Sequence, residues 1–228
     1  MTDSSAAGTT FTLDSATRAL VRLAARIAGG TETDVRDGLR EAQAAATPDV
    51  WVEEVILQSH LFCGFPRALN AAREWRRNAE VRGSADSAAA GAEAGDLQGP
   101  SDYEGWKASG EATCARVYGR FYEKLRHNIV ALHPELDRWM IVEGYGKVLS
   151  RPGLDLGRRE LCIVAACAAS GQDRQLHSHL HGARNVGVAD EVIGEAILAL
   201  DGVVSDENLE RAGAMWGRVR RGTKDEER

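Results

Sequence analysis

Apolar residues recur along the chain at helical spacing with few interruptions. Ala16, Leu20, Leu23, Ala24 and Ile27 fall three and four apart, behind Asp14 or Ser15 as a cap and ahead of the stop at Gly29-Gly30, and so predict a first helix. A second is expected from about 33 to 45, with Val35, Leu39 and Ala42 on one side. A third starts near Pro48-Asp49 and carries Val52, Val55, Ile56 and Leu57 toward Phe62, before a break at Gly64 and Pro66; helical spacing resumes over 67–77 with an Arg-rich exposed face. Further on, residues 103–132 follow one helical pattern through Val117, Phe121, Leu125 and Ile129. The segment from His133 forms a helix between two turns, the second at Pro152-Gly153, and 154–200 reads as two helices joined at Ser170-Gly171. The expected fold is all-α.

Three stretches stand outside this pattern. Residues 1–12 are too poor in apolar groups to offset the entropy of ordering and read as a disordered tail. Residues 78–101, rich in Ala, Gly, Ser and acids with no apolar stripe, read as a flexible linker, and 223–228 as a charged tail.

With 228 residues, 43% of them hydrophobic, the chain can bury a core in one domain or two small halves. A net charge of -6, with basic residues scattered among acids, gives no basis for binding nucleic acid. Cys63, Cys114, Cys162 and Cys167 form no CxxC pair and no metal-ligand spacing, which points to a reduced intracellular compartment. The N-terminus lacks a basic and then apolar leader, and no apolar run reaches the roughly eighteen residues of a membrane span. A cytoplasmic protein without membrane partners is expected.

Comparing the chain with itself exposes an internal similarity. At a shift of 141 positions, Leu13, Asp14, Arg18, Leu20, Ala24, Gly30, Leu39, Ala42, Asp49 and Ile56 fall on Leu154, Asp155, Arg159, Leu161, Ala165, Gly171, Leu180, Ala183, Asp190 and Ile197, without a gap over about 45 positions. The chain is therefore expected to hold two copies of an antiparallel helical unit, packed as a pseudo-symmetric bundle: a degenerate first copy over 13–77, and a second over 102–222 together with its preceding helices. The copies differ in chemistry. Ala19 and Gly38 stand where the second copy has Glu160 and His179, whereas the Phe62-to-Pro66 turn belongs to the first copy alone. A complete site would take its ionisable groups from one copy and this turn from the other.

The motifs SRPGLDLGRREL, HLHGARNVGVADEVIGEAIL and EEVILQSHLFCGFPRALNA resemble those of the carboxymuconolactone decarboxylase family, which includes the alkylhydroperoxidase D-like proteins. The resemblance covers roughly half the chain and implies an all-α fold and homo-oligomers with sites between packed helices or subunits. The peroxidase branch of that family uses a Glu, a CxxC pair and a His. Glu160 and His179 match, but Gln172 and Gln175 stand where the cysteines would be, and amides cannot attack a peroxide. Cys162 and Cys167 lie five apart in an apolar run and read as core residues.

The chain is closer to the decarboxylase-type branch, which implies proton transfer on a small carboxylated or lactone substrate, with no cofactor and no metal. His179 suits the acid/base role because imidazole titrates near neutrality, and Glu160 would orient it across the turn at Ser170-Gly171. Arg151 and Arg159 are the candidates for holding a substrate carboxylate, and Phe62 and Phe65 for lining the site. Bland alternatives stand beside these roles: a core histidine, a first-turn helix acid, and a structural salt bridge for Arg159. His177 and His181 share a helix face and could form a metal pair, but lack a nearby third ligand and read as solvated. Peroxidase-like antioxidant activity and a catalytically silent binding or scaffold role are the alternative functions.

Overall fold

The structure, a computed structural model, describes residues 13–81 and 100–226, with side chains over 13–78 and 100–222. Its elements are α1 (Ser15–Gly29), α2 (Glu32–Ala44), α3 (Asp49–Val81), α4 (Tyr103–Tyr118), α5 (Tyr122–Leu132), α6 (Pro134–Trp139), a π-helical segment (Met140–Leu149), α7 (Leu156–Ala169), α8 (Asp173–Asn185), α9 (Asp190–Leu198) and α10 (Asp206–Glu226). Among the described residues there is no strand. The fold is all-α.

An apolar run that continues round every face of a helix has to be covered on every side. LCIVAACAA, residues 161–169, is such a run, and α7 is accordingly buried from Arg159 to Ala168 without interruption. It packs against α1, α3, α8, α9 and α10. Helix α1 lies alongside it in the same direction. At the N-terminal ends Arg158 reaches Asp14 (3.1 Å), the Thr17 hydroxyl (2.8 Å) and Asp155 (2.6 Å), while at the other ends Gly29 packs against Ala169. Asp14 caps α1 and Asp155 caps α7, each accepting a backbone N–H of the first turn. Helices α1, α2 and α3 begin at residues 15, 32 and 49, and α7, α8 and α9 at 156, 173 and 190, each pair 141 apart.

Elsewhere small residues set the packing. Helix α4 and the π-helical segment approach so closely that a Cβ at Gly110 would collide with the Ile141 carbonyl, and one at Gly146 with that of Trp106. Helix α3 bends at Gly64 (φ 80°), where the sequence placed its break, and then runs on to Val81 rather than stopping near 77. The single helix expected over 103–132 is interrupted: Gly119 adopts φ 52°, a 3₁₀ turn spans Gly119–Phe121, and α5 begins at Tyr122. Helix α10 continues through Glu226, beyond the start of the expected charged tail. The expectations for residues 1–12 and most of the 78–101 linker lie outside the described residues. No helix among the described residues is long and apolar enough to cross a membrane.

Candidate functional site

Because α7 is enclosed, its one carboxylate is enclosed with it. Glu160 has no exposed surface, and its Oε2 lies 2.8 Å from Nδ1 of His179, a residue of the neighbouring antiparallel helix α8 that is 5% exposed. Burying a carboxylate is costly unless a partner compensates it, and the imidazole is that partner. An ionised carboxylate only accepts hydrogen bonds, so in this pairing Nδ1 is the donor and Nε2 is the nitrogen left for a substrate. Among the described residues Nε2 has no hydrogen-bond partner, and neither does the buried Glu160 Oε1. Room for the carboxylate comes from Gly182: a Cβ there would stand 2.5 Å from Glu160 Oε2 and 2.8 Å from Val117 Cγ1.

The walls of the pair come from three further elements. Phe62, at the end of the first half of α3, meets the His179 ring edge-on at 5.6 Å between centroids. Tyr118, the last residue of α4, meets it at 6.4 Å and also contacts Tyr145 of the π-helical segment, with which it shares a hydrogen bond. Burial pushes both phenols above their ordinary range, and the Glu160 charge adds to the effect. Cys114 and Cys167 border the same carboxylate, and burial pushes each thiol up to about 12. Cys162 is likewise pushed up to about 12 by burial. These three are protonated, poorly nucleophilic thiols at neutral pH.

The sequence reading missed Tyr118, Tyr145 and Cys114 as neighbours of the pair. Its one available signal was the spacing of Cys114 and Tyr118, four apart and so on a common face of α4. Two of its other assignments need correction. Arg151 and Arg159 do not present a free fork to a substrate, because Glu54 of α3 holds both. Arg151 meets one Glu54 oxygen at 2.9 and 3.0 Å, and Arg159 the other at 2.7 Å. Arg159 has no exposed surface, and it also donates to the carbonyls of Leu154 and Arg151. This is an internal ion cluster tying α3 to the turn before α7. Phe65 is 65% exposed and stacks on His60, so it lies away from the pair. Gln172 and Gln175 are exposed.

Two clefts lie on the far side of Tyr118. One of about 850 Å³ runs between the end of α4 and α8, α9 and α10; a second of about 250 Å³ lies between α4, α5 and α8. Tyr118 lines both, whereas His179 and Glu160 line neither. His177 and His181, with rings 4.9 Å apart, face these clefts. No group of three or more His, Cys, Asp or Glu side chains suited to a metal ion occurs among the described residues.

Residues 134–212, from α6 into α10, match the sequence model of the carboxymuconolactone decarboxylase family. No curated protein matches the chain. The matched stretch contains both members of the buried pair, while Phe62, Cys114 and Tyr118 come from outside it. Both members of the buried pair thus lie, within an all-α fold, in a stretch that is similar to the carboxymuconolactone decarboxylase family.

Proposed function

We propose that the protein is an acid/base enzyme of decarboxylase type acting on a small carboxylated or lactone substrate, with His179 as the proton-transferring group and Glu160 as the residue that positions it. The observation that carries this reading is the buried 2.8 Å bond from Glu160 to Nδ1, which leaves Nε2 without a partner among the described residues. In a decarboxylation the bond to the departing carboxylate breaks and its electron pair passes into the conjugated acceptor. The Nε2 lone pair first takes the proton of the substrate's carboxylic acid, the resulting imidazolium returns it to carbon once carbon dioxide has left, and the nearby carboxylate stabilises the imidazolium in between. Phe62 and Tyr118 exclude water from the imidazole. Access runs past Tyr118, the residue shared by the pair and both clefts.

The same proposal takes α1–α3 and α7–α9 as two copies of one unit, the equal 141-residue interval between their starts supporting it. It places the chain in the cytoplasm, in keeping with four free cysteines. It also makes the protein a homo-oligomer. No residue of α5 is buried, and Val130, Leu132, Leu136 and Trp139 are 46%, 75%, 50% and 53% exposed, an apolar face suited to a second copy. Light scattering on the purified protein tests the last point, a monomer at all concentrations refuting it.

Activity is tested by screening small lactones and β-keto acids, with His179→Ala and Glu160→Ala as controls. The expected loss for His179→Ala is about 10²- to 10⁴-fold. Turnover that survives both substitutions removes the assignment. A second reading, a catalytically silent binding protein, is favoured by the absence of both pair residues from the linings of the two clefts. It predicts no turnover of any such compound. A thiol peroxidase would require reductant-dependent consumption of a hydroperoxide that is lost in Cys167→Ser.

A further inference from the structure

The larger cleft is basic within an acidic chain. The sequence holds 34 acidic against 28 basic residues, yet among the described residues Arg120, Arg184 and Arg218 line this one cavity against a single acid, Asp190. That aspartate is taken by Arg184 at 2.8 Å. Arg218 is exposed and has no ion pair among the described residues. His177 and His181 add donor nitrogens from α8, and the Tyr118 and Phe121 rings supply an apolar wall at one end. Guanidinium groups gathered in one concave site repel each other, and a bound anion relieves that repulsion while accepting their paired N–H donors.

We propose that this cleft is a binding site for an organic oxyanion carrying two or more negative charges, a phosphate ester or a polycarboxylate, with its anionic groups on Arg218, Arg120 and the His177–His181 pair and its apolar part against Tyr118 and Phe121. At about 850 Å³ the cavity is in the range of small-molecule sites. Monovalent anions engage too few of these donors to bind. The site does not rest on the acid/base reading of His179, because binding is measured directly and without turnover.

The test is calorimetric titration of the intact protein at low ionic strength with pyrophosphate, citrate and acetate. Saturable binding of pyrophosphate or of citrate, with none of acetate, is expected; pyrophosphate alone identifies a phosphate site and citrate alone a polycarboxylate site. Arg218→Ala and Arg120→Ala, both at exposed positions, should each weaken binding by at least tenfold. Arg218→Lys should retain part of the affinity, and the distant Arg40→Ala should leave it unchanged. Failure of both multivalent anions to bind at millimolar concentration overturns the proposal. So does binding unchanged in Arg218→Ala, or weakened equally in Arg40→Ala, which would mark a nonspecific charge effect.

Discussion

Replacing Gly182 by alanine sets two opposed effects against each other next to the buried pair. Gly182 lies inside α8, where alanine is intrinsically better than glycine by about 1 kcal/mol, so a helix taken alone would gain. The new methyl, however, would stand 2.5 Å from Glu160 Oε2 and 2.8 Å from Val117 Cγ1, both well inside van der Waals contact. The carboxylate is the end of a flexible side chain, but it is wholly enclosed and its other oxygen has no partner to turn toward. Moving it breaks the bond to His179, about 1.5–3 kcal/mol for a hydrogen bond to a charged group. Overpacking against Val117 adds about 1–3 kcal/mol. The net expectation is a destabilisation of about 1.5–5 kcal/mol, the two penalties together outweighing the helical gain. Urea denaturation followed by circular dichroism measures it, with Gly213→Ala as the control. Gly213 is an exposed position in α10 with nothing within 4 Å of its missing Cβ, and alanine there should stabilise by a few tenths to about 1 kcal/mol. If Gly182→Ala were as stable as its parent, or more so, the enclosure of Glu160 as described would be refuted.

Three further outcomes follow from the buried charges and thiols. Glu54→Ala should destabilise by about 3–5 kcal/mol in the same assay, since it strands the unexposed Arg159 guanidinium without its carboxylate; a loss below 1 kcal/mol would remove the ion cluster from the structural account. In the folded, reduced protein at pH 8, a maleimide should label the half-buried Cys63 first, with Cys114, Cys162 and Cys167 reacting only on unfolding; mass spectrometry of the labelled peptides decides this. Those three thiols rise from the ordinary 9.0 to about 12 on folding, so between these values the unfolded chain releases protons that the folded one keeps. Their contribution is complete below pH 9 and is lost as pH climbs toward 12, at about 1.4 kcal/mol per pH unit for each thiol. Urea midpoints under reductant that stay flat from pH 8 to 11 would contradict it.

The helices that position the site were legible because their signals are local. Asp14 before an amphipathic run, the Gly29-Gly30 stop and the turn at Ser170-Gly171 all act within a few residues, and the structure has α1, α7 and α8 within a residue or two of those signals. The meeting of Glu160 with His179 was legible too, since one short turn between two helices returns the chain antiparallel. What escaped depends on distant partners. Nothing in the residues around Arg151 and Arg159 announces Glu54, 97 and 105 positions earlier, and a guanidinium committed internally has the same local sequence as one facing a ligand. Gly119 was hidden in a pattern of apolar residues that keeps its helical period across the 3₁₀ turn. Phe62 and Phe65 share a motif, and only the bend at Gly64 turns the first inward and leaves the second outside.

The enclosure of α7 on all sides bears on how the molecule breathes. Amide protons along a helix covered by five others can exchange with solvent only when the whole assembly of helices comes apart, so those from Leu161 to Ala168 should be the slowest in the chain. A carboxylate mounted on that helix keeps its place through every partial opening of the periphery. Any motion at the pair is therefore expected in the elements that wall it, α3 at Phe62 and α4 at Tyr118, rather than in the helix that carries Glu160.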